Sequence, residues 1–323
     1  MKAWLAILRE KNVKLIYTIS QPPILGGLLG TFGKLFKRTK HVYNIQDFNP
    51  EQAVAASYTK NSFLLKVALA VDKINCRYSD HVVVVGKDMG ETLRKRFGNK
   101  NVPEFSVINN WTEEDEILPL KKENGVVRDF KQEHELDGKF IVMYSGNLGL
   151  YYDLENLIKL SKDFQHVEDM FFLFIGEGAK KKEMQDYVSS NNLTNVKFLP
   201  YQPLDFIKYS LNVADVHLVV NQKGIKGVSV PSKIYGVLAA GKPILGVLEN
   251  GSEAHRLIEE SGCGLVAEPQ DYDQIRNVIT EMYQLNEDER LKMGLCGRAY
   301  LEQHLKKETS INKYKELLTQ LTS

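Results

Sequence analysis

Ten short runs rich in β-branched and aromatic residues alternate along the chain with segments of helical period, and few folds admit that alternation. In the first third the runs are 13–19 (VKLIYTI), 41–46 (HVYNIQ), 81–86 (HVVVVG) and 105–108 (FSVI), with helical stretches at 25–36, 62–77 and 89–97. Further on come 140–145 (FIVMYS), 171–175 (FFLFI), 196–199 (VKFL), 216–220 (VHLVV), 243–247 (PILGV) and 264–267 (GLVA). Helical segments such as 154–160, 180–189 and 233–240 fill the gaps between them. Strands separated by helices form βαβ units and parallel sheets, so the chain is α/β with two Rossmann-like, doubly wound domains.

The second domain, expected over 138–300, has six strands and five crossovers and is complete. The first, expected over 1–118, has four strands and opens on a helical segment, MKAWLAILREKN, where a strand and a Gly-rich turn should stand. It is therefore read as lacking its first strands, and the 323-residue form is expected to be inactive alone and prone to aggregate. Residues 119–137, polar and acidic, read as a connection, and 301–323 as a C-terminal helix returning to the first domain.

Composition narrows the function. The apolar fraction of 43% and charged fraction of 26% fit a globular protein. Three distant cysteines and no metal-ligand spacing among seven histidines argue against a disulfide framework or a dedicated metal site. The net charge of +1 hides an asymmetry: residues 1–110 hold 17 basic and 8 acidic side chains, a balance of +9. That surplus suggests an anionic partner, and since no nucleic-acid-binding module is present, a membrane surface fits better. The apolar stretch 22–36 (PPILGGLLGTFGKLF) is too short to cross a bilayer. It can lie in a lipid interface or pack on its own sheet, and both readings stand. With no export signal, the expected location is cytoplasmic, peripheral at the membrane's inner face.

Ligands of open parallel sheets bind where strands run into helix N-termini. Four such loops are candidates: SGNLG at 145–149, GEG at 176–178, FLPYQP at 198–203 and GIKGVSVPSK at 224–233. The glycines would let backbone N–H groups approach a phosphate. In the last loop Ser232 is a natural N-cap. Lys233 then falls in the first turn, where the helix dipole disfavours a cation unless an anion shares the site. The D-x-D at 271–273 has the form of a metal-dependent transferase motif, but its place at a helix start favours capping.

In this order and spacing the loops resemble family 4 glycosyltransferases. The pattern runs through FFLFIGEGAKKKEMQDYVSSNNLTNVKFLPYQPLDFIKYSLNVADVHLVV, VPSKIYGVLAAGKPI and ESGCGLVAEP, with YNIQDFNPE and VINNW before it. The likeness is strongest to the WbuB- and WcaI-like branch, which builds bacterial O-antigen, capsule and exopolysaccharide. It implies the GT-B architecture and a retaining, hexosyl or N-acetylhexosaminyl transfer from a nucleotide diphosphate sugar, UDP-linked, to a hydroxyl on a lipid-linked or other saccharide. No cofactor and no essential metal are implied. The resemblance places Gly146 and Asn147 at the diphosphate, and Leu199, Pro200 and Tyr201 around the base. It sets Ser232 and Lys233 on the phosphates and Asp47 near the reacting sugar, Asp47 and Lys233 being the catalytic pair. The family's diphosphate Arg and Lys are replaced by Asn147 and Tyr152, and its ribose-binding Glu by Gly236. These departures raise the importance of Lys233. They also keep open a nucleotide-sugar epimerase and a non-catalytic nucleotide-binding subunit.

Overall fold

A computed structural model of the protein describes residues 2–55 and 62–323. The chain forms two compact units, the first of residues 1–110, 225–230 and 308–323, the second of 111–224 and 231–307.

In the first unit the strands are β1 (Leu15–Ile19), β2 (Lys40–Ile45), β3 (His81–Val84) and β4 (Phe105–Val107). They form one parallel sheet in the order β1-β2-β3-β4. Its helices are α1 (Lys2–Arg9), α2 (Leu25–Lys37), α3 (Asn49–Ala55), α4 (Ser62–Tyr78) and α5 (Lys87–Arg96), joined by the C-terminal α14 (Lys307–Thr322), which lies in this unit from Glu308 on. Period-2 alternation along β2 distributes these helices. His41 and Tyr43 face α2 and α4: the His41 ring lies against Gly30, and the Tyr43 hydroxyl donates to Asp72 at 2.8 Å. Val42 and Asn44 point the other way, Val42 packing with Leu317 and Asn44 accepting α14 as neighbour by donating to the Tyr314 hydroxyl. Residues 225–230 complete this unit, Val228 and Val230 packing with Ile45, Phe48 and Met89.

The second unit carries β5 (Phe140–Ser145), β6 (Met170–Ile175), β7 (Val196–Leu199), β8 (Val216–Val220), β9 (Ile244–Val247) and β10 (Gly264–Ala267). All pair in parallel, in the order β10-β9-β8-β5-β6-β7. The strands are buried on both faces and read as unbroken apolar runs, FIVMYS and MFFLFI among them. The helices are α6 (Gly125–Glu133), α7 (Leu154–Leu157), α8 (Lys181–Ser190), α9 (Ile207–Ser210), α10 (Lys233–Ala239), α11 (Glu253–Ser261), α12 (Tyr272–Gln284) and α13 (Glu287–His304). After α7 the segment expected to continue as α-helix tightens into a 3-10 turn, Ile158–Phe164. The strand order reverses between β5 and β8, so the loops leaving those two strands flank the switch point where such sheets bind ligands.

Candidate functional site

Three loops leave neighbouring strands at that edge, and glycines decide how closely they pack. Gly176 has φ +147°, and a Cβ there would stand 1.9 Å from the Gly146 carbonyl oxygen, so only glycine fits. The Gly146 N–H donates to Ile175 O at 2.9 Å, and the Gly176 N–H to Leu199 O at 2.9 Å, extending the ladder past the strand ends. The Gly146 N–H is thus spent on the neighbouring loop, and the missing side chain leaves a space beside it. The exposed Asn147 offers the backbone N–H instead, which donates to no group among the described residues.

That space is bounded by Lys233. A Cβ on Gly146 would lie 3.3 Å from Lys233 Cε and 3.5 Å from its Nζ. The Lys233 stem is half-buried, whereas its ammonium is enclosed and makes no hydrogen bond among the described residues. It rests 3.5 Å from the Tyr144 ring centroid and 4.4 Å from that of Tyr152. Two aromatic faces return only part of the hydration a lysine loses, so burial drives its pKa well below the ordinary value. Two cations that follow the β6 loop are neutralised: Lys180 by Glu155 at 2.6 Å and Glu183 at 2.9 Å, Lys181 by Glu177 at 2.6 Å. Lys233 is thus a cation held without a counter-ion among the described residues, beside a gap and an N–H donor.

Sequence reasoning missed Tyr144 and noted Tyr152 only as the replacement of the family's lysine. Tyr144 is fully buried, its hydroxyl donating to Asn147 O at 2.8 Å, which also holds the Asn147 peptide in place. Tyr152 stands where the resembling family has its diphosphate lysine, and its ring lies on the ammonium of Lys233. Nothing local in the sequence signals this, because Lys233 lies about eighty to ninety residues along the chain from the two tyrosines.

The remaining candidates are placed as follows. Leu199 is buried and tied through its carbonyl to Gly176, while Pro200 and Tyr201 are exposed, the Tyr201 ring beside Gly176. Ser232 occupies the N-cap position of α10 with helical dihedrals and makes no side-chain capping bond, so the capping expectation is corrected; its exposed hydroxyl makes no hydrogen bond among the described residues. Gly236 lies one turn into α10, and a Cβ there would meet only Leu211, at 3.4 Å. Asp271 does cap α12, accepting from Gln274 N at 3.0 Å, and Asp273 pairs with Arg276 at 2.7 Å. Asp47 belongs to the first unit. It follows β2, bridges to Ser229 and is raised in pKa by burial, against a lowering hydrogen bond from Ser229.

Two parallel α/β units, one with a lysine enclosed beside its switch-point loops, are the architecture of the GT-B class. Residues 126–299, more than half of the chain, match the family "Glycosyl transferases group 1", and the chain belongs to that family. Among relatives, probable glycosyltransferase WbjE of Pseudomonas aeruginosa is 28% identical over 285 residues, 88% of this chain and 69% of that protein. The putative colanic acid biosynthesis glycosyl transferase WcaI of Escherichia coli K12 is 26% identical over 84% of this chain and 66% of its own length. Among solved structures, Anabaena Alr3699/HepE in complex with UDP superposes with a TM-score of 0.80 at 15% identity, covering 98% of this chain and 82% of that one. Sucrose-phosphate synthase from Thermosynechococcus elongatus gives 0.79 at 17%, covering 99% and 76%. These structural likenesses establish the fold.

Proposed function

We propose that the chain transfers a hexosyl or N-acetylhexosaminyl group from a UDP-linked donor, with retention of configuration, in the building of a bacterial surface polysaccharide. The observation that carries this is the enclosed, unpaired Lys233 ammonium beside Gly146 and the free Asn147 N–H. An isolated buried ammonium is costly, and a diphosphate is the ligand that repays it twice, by pairing with the charge and by accepting the N–H. The presence of UDP in a solved relative of the same fold supports the choice of nucleotide. The names of WbjE and WcaI support the polysaccharide setting.

In the reaction the bond between the sugar and the diphosphate breaks, and negative charge grows on the departing phosphate. A fixed cation aimed at that charge stabilises the transition state more than the ground state. The acceptor's hydroxyl oxygen bonds to the anomeric carbon on the face that the diphosphate leaves, and a phosphate oxygen of the donor takes its proton, so no protein base is required. Lys233 supplies the charge that a divalent metal supplies elsewhere, which makes an essential metal unnecessary. Ser232, at the same helix start, is assigned to a phosphate oxygen, and Pro200 and Tyr201 to the base. Asp47 is assigned to the reacting sugar on the acceptor side. The acceptor is a hydroxyl on a lipid-linked saccharide, which places the protein at the cytoplasmic face of a membrane.

A panel of nucleotide sugars examined by thermal shift tests this reading. A UDP-hexose at about one hundred times its dissociation constant should stabilise the fold by about 2.7 kcal/mol. A shift given only by purine nucleotides, or none with any nucleotide, would contradict the donor assignment. Conversion of donor without acceptor would indicate an epimerase.

A further inference from the structure

Helix α2 is built inside out. Its inward residues are Gly26, Gly27, Gly30, Thr31 and Gly33, all buried, while Leu25, Phe32, Leu35 and Phe36 are exposed. Rotation cannot bury the large side chains. A Cβ on Gly26 would stand 1.9 Å from Ile19 O, and one on Gly30 1.8 Å from His41 Nε2, so the inward face admits nothing bulkier than hydrogen. The glycines hold the helix tight to the sheet and fix the apolar face outward.

The neighbouring helix does the same. Asn75 of α4 packs on Gly27 and accepts from Thr31, joining the two helices, and α4 turns Phe63, Leu64, Val67 and Ile74 to solvent. Phe36 and Phe63 are 66% and 71% exposed, far beyond what an isolated surface apolar residue explains. The exposed charges of these helices have one sign. Helices α1 and α2 contain no carboxylate, and the single one in α4, Asp72, is buried against Arg96 at 2.7 Å. Arg38, Lys66 and Arg77 are exposed beside the apolar residues.

From this juxtaposition we infer that the outward faces of α2 and α4 form one docking surface for an anionic lipid bilayer, with the apolar side chains entering the acyl boundary and the cations meeting headgroups. A protein partner of mixed charge would find no carboxylate-to-cation alternation to read here, and the surface lacks the acidic half that self-association of a charged rim requires. The inference deepens the lipid-linked acceptor proposed above and rests on that reading for its biological sense, but its test needs no donor.

The full chain is mixed with vesicles of phosphatidylcholine alone, or with about one-third phosphatidylglycerol, and the bound fraction is measured by sedimentation. Trp4, whose ring lies 6.3 Å from that of Phe36, reports contact by a blue shift of its emission. Binding is expected to the anionic vesicles and to weaken with added salt. The double variant F32D/F36D should lose about ten-fold or more in vesicle affinity, and the triple variant R38E/K66E/R77E should lose both affinity and salt dependence. Both sets lie on exposed positions and should keep native UDP binding by calorimetry, which separates failure here from failure of the donor reading. Unchanged vesicle binding by F32D/F36D, equal binding to neutral vesicles, or a vesicle-free dimer that F32D/F36D dissociates would each overturn the proposal.

Discussion

Lys233 is poised by what it lacks. In the free protein its ammonium sits on two tyrosine rings without a counter-ion, and burial lowers its pKa well below the ordinary 10.5. A diphosphate beside it reverses that shift, so at pH values above the depressed folded value UDP binding is expected to draw a proton from solution. Calorimetry in two buffers of different ionisation enthalpy should return different apparent heats, and equal heats would count against the assignment. The same shift fixes a sign for stability. Between the depressed folded value and 10.5 the unfolded lysine carries a proton that the folded one lacks, so the free protein should grow more stable as pH rises through that window. The Lys233→Met variant should lose this slope. Gly236, three residues on, is a different case. It lies mid-helix with room for a methyl group, and Gly236→Ala should raise stability by about 0.5–1 kcal/mol in a thermal melt.

Among the elements, α2 inverts that expectation. Gly30→Ala also improves helix propensity, but its Cβ would collide with the His41 ring, which Thr18 holds by a 2.8 Å hydrogen bond. We expect a loss of about 1–3 kcal/mol, read as a lowered denaturation midpoint, where Gly236→Ala gains. A gain at both positions would show that α2 does not sit tight on its sheet. The strands were legible because runs such as VHLVV and FFLFI are β-branched or aromatic and bounded by turn residues. The Asp271 cap was legible for the same local reason. The inside-out α2 was half legible: LGGLLGTFGKLF announced an apolar helix, but which side faces the sheet depends on His41 and Ile19, which arrive from other elements. Ser232 was misread as a capping residue because composition names the position and not the dihedral. The tyrosine box around Lys233 could not be read at all, since it joins β5, its following loop and α10 only after the sheet is assembled.

At the scale of the whole molecule, membership in the group 1 glycosyltransferases rests on residues 126–299 and the fold on two parallel sheets, and the proposed chemistry is argued from the strand-end cradle. Because Lys233 is assigned the charge on the departing diphosphate, transfer should persist in EDTA; activity abolished by chelation and restored by manganese or magnesium would contradict this. The most direct test compares donor turnover, followed as UDP release, in the native protein and Lys233→Met. Removing one preorganised partner of developing charge costs about 2.7–4 kcal/mol, or about 100- to 1,000-fold in rate. We expect that loss together with a thermal midpoint, without donor, at or above the native one, since the variant no longer buries a lone ammonium. Turnover of UDP-sugar by Lys233→Met at the native rate would contradict the assignment of this lysine, and with it the proposed site.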